Sequence, residues 1–258
     1  MRRIGLPGAF LVCLALASLC APLIAPYDPL AEVGQALQAP SARHWLGTDL
    51  IGRDVFSRIL HGAARTLSVA LIALCSTVLI GGALGLCAGF FGGALDWLLL
   101  SLSDALLALP SLLLALSVLT LAGNGSLQIA LAAALSGLPA YSRIVRATAR
   151  SVRTQPYIEA ARALGAGELG VLWRHVLPNA LPSSLSAGVI AMAWAILNAA
   201  TLHFLGFGGD PSLPEWGAML AEGRLVFRAA PWIAFAAGAA LTLTLLAVND
   251  LARRLAAQ

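Results

Sequence analysis

Apolar residues along this 258-residue chain gather in six long blocks, at about 8–26, 66–91, 95–121, 126–148, 181–206 and 230–251. A helix needs about 20 apolar residues to cross the hydrocarbon core of a bilayer. The pattern therefore predicts an all-α integral membrane protein with six transmembrane helices. A β-barrel would instead show segments of about ten residues alternating apolar and polar. Two polar stretches interrupt the blocks. The first, 27–65, begins with Pro26, Pro29 and Pro40, which favour extended chain. It ends with Leu50, Ile51, Val55, Phe56, Ile59 and Leu60 at helical spacing, with Arg53, Asp54, Ser57 and Arg58 between them. That spacing predicts an amphipathic helix near the membrane interface, leading into the second span.

The second polar stretch covers about 149–180. Pro156 opens a helix carried by Glu159, Ala160, Ala161, Ala163 and Leu164, and Gly165 with Gly167 ends it. A second short helix, about 168–177, is expected to stop before Pro178, because proline disfavours α geometry at the residue before it. The turns at 91–93 and 123–126 are too short to hold a domain, so the chain reads as one membrane domain over 1–258.

Charge gives these blocks a direction. Hydrophobic residues make up 59% of the chain and charged residues 11%, far below the ~25% of a soluble domain. All sixteen basic residues are arginine. Six crossings would put both termini and the 149–180 loop on one side, where ten arginines face three carboxylates. On the other side six arginines face seven carboxylates. Basic loops stay in the cytoplasm, so both termini and 149–180 are expected to be cytoplasmic, with 27–65 external. The same rule explains the basic pI without nucleic acid. Cys13, Cys20, Cys75 and Cys87 lie in apolar stretches with no C-x-x-C spacing, which suits buried small residues better than metal ligands or disulfides. The apolar run after Met1-Arg2-Arg3 exceeds a signal-peptide core and lacks an A-x-A exit, so it reads as a retained span.

Three motifs carry a family resemblance. Glu159-Ala160-Ala161, then Gly165, then Leu177-Pro178 resembles the coupling loop of ABC-importer permeases, E-A-A-x3-G-x9-I-x-L-P. His175 stands at the usual isoleucine, yet Arg174-His175-Val176-Leu177-Pro178-Asn179 is similar to the R-H-I-L-P-N form of the peptide and nickel branch. His44, Gly47, Thr48, Asp49, Gly52, Arg53, Asp54, Ser57 and Arg58 match that branch's H-x-L-G-T-D-x-x-G-R-D-x-x-S-R signature. Phe204–Gly208 with Glu215–Leu220 resembles its loop after span five. The tail after Asn249-Asp250 departs from the branch, lacking its acidic, proline-containing ending.

The resemblance implies type I ABC-importer permease architecture and the second, C-type permease of a dipeptide or oligopeptide importer. A nickel or metal-chelate importer is the alternative. It implies that Glu159 to Gly165, with His175, Leu177 and Pro178, dock on a cytoplasmic ATPase. The implied partners are a homologous permease, two ABC ATPases and an extracytoplasmic solute-binding protein. Read without the family, the 149–180 loop is equally a basic loop lying on the bilayer, and the charges of 49–58 are a solvated helix face.

Polar groups inside spans mark functional candidates because burying them in lipid is costly. Asp104, Pro110, Asn198 and His203 are the candidates for a translocation path, against helix-to-helix hydrogen bonding. Asp104 and Pro110 also suit an ion-gradient-driven secondary transporter, but the inverted repeats of such proteins are absent. No catalytic constellation or metal site stands out. A chain without lysine holds no G-x-x-x-x-G-K-[ST] loop, so ATP and Mg belong to partner subunits and this chain carries no cofactor of its own.

Overall fold

The computed structural model describes residues 5–208, 210 and 212–256, and Arg2 and Arg3, used above for sidedness, lie outside them. The described residues form ten helices and no strand. They are α1 (Gly5–Leu19), α2 (Ala21–Ile24), α3 (Val55–Phe91), α4 (Gly93–Leu107), α5 (Ser111–Ala122), α6 (Ser126–Arg153), α7 (Pro156–Ala163), α8 (Glu168–Phe204), α9 (Trp216–Leu225) and α10 (Pro231–Ala256).

The expectation of six spans is corrected. Among the described residues three helices are long and apolar enough to cross a membrane: α3, α8 and α10. A fourth is reached only if α4 and α5 count as one broken span, since they meet at 94°. The physical reasons differ by block. α1 has 15 residues and rises only about 22 Å, short of the ~30 Å hydrocarbon core. The block at 95–121 is cut at Ala108–Pro110, where Pro110 takes an extended ψ of 128° and starts α5 afresh. α6 is 28 residues long, but Gln128, Ser136, Tyr141, Ser142 and four arginines dilute its apolar face. The sidedness inferred from six crossings loses its basis with the count.

Two further expectations change. A helix does lead into the second block, as α3 is continuous from Val55, but Leu50 and Ile51 lie before it and its polar side is not solvated: Val55, Ser57 and Arg58 are buried. α8 does not stop before Pro178 but runs from Glu168 to Phe204 through a π-turn at Leu172–Val176. An i→i+5 turn widens the backbone just where a proline ring would strike the preceding turn, so Leu177 keeps helical angles of −57° and −51°.

Three buried apolar clusters stack along α3. Val55, Ala63 and Ala70 join Ile196, Trp216, Met219 and Ile233 at one end. Val69 and Ala73 join Leu119, Ile129 and Leu202 in the middle. Leu86 and Phe90 join Tyr141, Val145 and the 158–176 region at the other end. α3 lies tightly on α6 because Gly81, Gly85 and Gly89 recur every four residues along that face. A Cβ at Gly85 or Gly89 would strike the carbonyl oxygen of Ser142 or Arg146. Small residues at this spacing let helix backbones touch, which supplies packing energy that lipid does not. The nearby Asp96 carboxylate on α4 accepts from the Arg146 guanidinium on α6 and fixes α4 to the same helix.

Candidate functional sites: a buried charge cluster and an exposed knob

Residues 27–54 contain no long helix, yet they are folded down rather than loose. Thr48 accepts from the Gln38 amide at 2.8 Å and donates to the Gln35 carbonyl at 2.6 Å. Gly52 sits at φ +88°, where its missing Cβ leaves room for the Gly34 carbonyl; Gly47, at φ +72°, lies against Trp232. Trp232 on α10 donates its indole N–H to the Thr48 carbonyl at 3.1 Å. These contacts position the side chains that follow.

Asp54 caps α3, accepting from the Ser57 amide at 2.8 Å and from its hydroxyl at 2.9 Å. Its other oxygen lies 2.9 Å from His44 Nδ1. Asp49 accepts from the Ile51 and Arg53 amides and pairs with Arg53 Nε at 2.6 Å and Arg58 Nη1 at 3.3 Å. Both arginines reach across to Glu222 on α9, at 3.5 Å and 3.2 Å. Two guanidinium and two carboxylate groups thus make a neutral quartet, and Arg58 is fully buried within it. Burial raises the Glu222 pKa from its ordinary value, against the opposing pull of Arg58 and Arg53. The signature from His44 to Arg58 is therefore a folded core element and no solvated helix face.

A second polar group sits beside it. Glu215 caps α9 through the amides of Gly217 and Ala218, at 2.7 and 3.1 Å, and accepts from the Thr66 hydroxyl at 2.7 Å. His203 places Nδ1 2.9 Å from the Ala199 carbonyl and 3.5 Å from Glu215. Trp216, fully buried, donates to the Ile59 carbonyl at 3.0 Å.

The opposite end of α3 carries the 149–180 region, a knob made of α7 and the start of α8. Ile158, Val171, Leu172 and Val176 are buried and pack with Phe90, Val145 and Ala149. The other face is open. Glu159 and Ala160 are exposed, as are Tyr157, Leu164, Leu169 and Trp173, with Leu164 at 90%. Gly165 holds φ +87° and a Cβ there would meet nothing within 4 Å, so backbone conformation and not crowding calls for glycine. Arg162 and Glu168 close the corner with two contacts, 2.9 and 3.0 Å. His175 lies near Tyr157, and Pro178 is exposed.

The sequence-selected candidates for a path do not converge. Asp104 is exposed and pairs with Arg143 at 2.8 Å, and Pro110 stands at the break before α5. Asn198 faces a cavity of about 300 Å³ between α6 and α8, lined also by Ser136, Tyr141, Ile190 and Trp194. His203 belongs to the Glu215 group instead. Sequence reasoning quoted Glu215 within a motif without giving it a role, though a carboxylate just ahead of a helical run is a capping signal. Glu222 and Thr66 were missed, and their partners lie 164 and 149 residues away in the chain.

Residues 81–258 match the family of binding-protein-dependent transport system inner membrane components. The chain belongs to that family. It is 37% identical to a glutathione transport system permease protein of Pectobacterium atrosepticum, over 94% of this chain and 81% of the relative. It is 38% identical to a di/tripeptide transport system permease protein of Pseudomonas aeruginosa, over 93% and 82%. A dipeptide transport system permease protein of Alkalihalophilus pseudofirmus is 38% identical over 83% and 70%. As an inner membrane component of such a system, the chain is a multi-pass transport subunit and not an enzyme. Membership implies a second permease, ATPases and a binding protein as its usual company. The family match at 81–258 includes the knob but starts beyond the quartet's signature, whereas an alignment over 94% of the chain leaves too few residues outside to miss either.

Proposed function

We propose that this chain is the C-type permease subunit of an ATP-driven peptide importer, and that its knob receives the force of ATP hydrolysis. In this reading the 149–180 region faces the cytoplasm, residues 27–54 face outward, and a homologous permease supplies the other half of the path. Relatives named for glutathione, dipeptide and di/tripeptide transport favour peptides as cargo over nickel or a metal chelate.

The observation that carries the docking role is the two-sidedness of the knob. Its apolar residues on one side are fully spent on the helix bundle, while Tyr157, Leu164, Leu169 and Trp173 stay exposed on the other. A loop that only lay on the bilayer would not need a rigid glycine corner at Gly165 and an Arg162–Glu168 brace. Glu159 and Ala160 on the open face offer a carboxylate and a close-approach surface for an ATPase groove.

The test is affinity purification of the tagged chain in mild detergent, with uptake measured in membrane vesicles. Recovery of a second permease and P-loop ATPases, with ATP-dependent peptide uptake, is the expected result. Glu159→Lys and Gly165→Pro should insert at normal abundance and lose coupled uptake. Full uptake by either variant would remove the docking assignment.

A further inference from the structure

An open groove of about 430 Å³ lies between α1 and the last turns of α10. Leu6 and Phe10 form its α1 wall, and Leu243, Leu246 and Arg253 its α10 wall. Positions 243, 246, 250 and 253 recur at three- and four-residue spacing, which puts them on one face of the helix. That face changes character along its length. Leu243 and Leu246 are 53% and 57% exposed, and the charged residues follow one turn further on.

Depth decides what such a face meets. Trp232, bonded to the Thr48 carbonyl at the quartet end, and Arg253 lie about 32 Å apart along α10. The hydrocarbon core is ~30 Å thick. With Trp232 at one boundary, Arg253 and Arg254 stand at the other, at headgroup level. Leu243 lies about 15 Å inward from Arg253, half the core and thus the span of one leaflet.

The charges at the mouth do not cancel. Arg254 donates to Asp250 from Nε at 3.0 Å, and its Nη2 lies 2.9 Å from the same oxygen. Arg253 is exposed and has no ion-pair partner among the described residues. One net positive charge therefore tops an apolar slot. Arg254 also reaches the other wall, since a Cβ on Gly5 would stand 2.8 Å from its Nη1. Water alone would solvate the guanidinium groups and leave the leucines wet. An uncharged lipid tail would cover the leucines and leave the charge unmatched. A molecule with an anionic head and an apolar tail satisfies both.

We propose that this groove holds one anionic phospholipid, its phosphate at Arg253 and Arg254 and an acyl chain along Leu243, Leu246 and Phe10. Neither the cargo nor the docking role of the knob enters the argument.

The experiment exchanges the purified complex into micelles holding equal amounts of dioleoylphosphatidylglycerol and dioleoylphosphatidylcholine, and counts retained lipid by native mass spectrometry. An arginine beside an anionic headgroup is worth about fivefold in affinity. Wild type should retain phosphatidylglycerol over phosphatidylcholine by about that factor. Arg253→Gln should remove most of the preference, and Arg253→Gln with Arg254→Gln all of it. Arg150→Gln with Arg153→Gln removes as much charge from outside the groove and should leave the preference unchanged. Leu246→Trp keeps both arginines, fills the slot and should release the lipid. Equal retention of the two lipids by wild type, equal loss in the two arginine pairs, or retention by Leu246→Trp overturns the site. Displacement of the lipid by inorganic phosphate also overturns it, because the slot would then add nothing. So does a cross-link from Leu243→Cys to a partner subunit, because protein would then cover the groove.

Discussion

Replacing Arg58 by methionine tests whether the buried quartet holds the two sequence-distant parts of this protein together. Arg58 Nη2 lies 3.2 Å from Glu222 and Nη1 lies 3.3 Å from Asp49. At an effective dielectric of ~20, one such contact is worth about 5 kcal/mol. The opposing term is desolvation, several kcal/mol for each ion, and Arg58 is fully buried with Nε lacking a hydrogen-bond partner. The two nearly cancel, so the intact quartet adds little net stability. Removing one member is different, because it strands a buried negative charge. Arg58→Met should therefore cost about 3–5 kcal/mol and lower the melting temperature by roughly 6–20 °C. Glu222→Gln alone strands a positive charge but should cost less, since Glu222 keeps 22% of its side-chain surface in solvent. The double variant restores neutrality and should lie within about 2 kcal/mol of wild type. Thermal unfolding of the four proteins in one detergent completes the cycle. Additive losses in the double variant, or an Arg58→Met protein that melts like wild type, would refute the argument.

Three other substitutions probe separate contacts. Gly52→Ala should cost at least about 1–2 kcal/mol from left-handed backbone alone, plus the clash with the Gly34 carbonyl, and should raise proteolysis within residues 27–54 in limited digestion. Glu215→Ala removes a double N-cap and the partner of Thr66; a loss of about 1–3 kcal/mol in thermal unfolding is expected, with Glu215→Gln retaining part of it. Gly89→Ala pushes a Cβ into the Arg146 carbonyl and should cost about 1–3 kcal/mol, read as lower abundance in the membrane and a lower melting temperature.

The sequence made some of this legible and hid the rest for physical reasons. Apolar blocks marked where helices lie, because hydrophobicity is local. They overcounted crossings because block length ignores where a helix breaks: 95–121 is apolar enough to read as one block, yet its two helices meet at 94° across the break before Ser111. Pro178 misled in the other direction, since a π-turn absorbs it and the helix runs on. The Gly81, Gly85 and Gly89 spacing was a readable helix-contact signal that hydropathy alone passed over. The charged signature at 49–58 was recognised by its motif but misjudged by its polarity. Its burial depends on Glu222 and Trp232, and no local pattern shows that residues so far along the chain will cover it.

One helix connects the two sites. α3 runs 37 residues from the quartet to Phe91, a length of about 55 Å. The knob packs on its last turn through Ile158, Val171, Leu172 and Val176, so a force on the knob acts on the end of a lever. A rigid tilt of ~10° would carry the far end by roughly 10 Å over that length. The quartet resists such a shift, because separating Arg58 from Glu222 and Asp49 strands buried charges at a cost of about 3–5 kcal/mol. The middle of α3 is weaker. Thr77–Gly81 is a π-turn, a common site of helix bending. The softer element yields first. On the docking role proposed for the knob, force entering there should bend α3 at Thr77–Gly81 and leave the quartet whole; spin-label distances across Thr77–Gly81 that stay fixed during ATP turnover, while distances across the quartet change, would refute this.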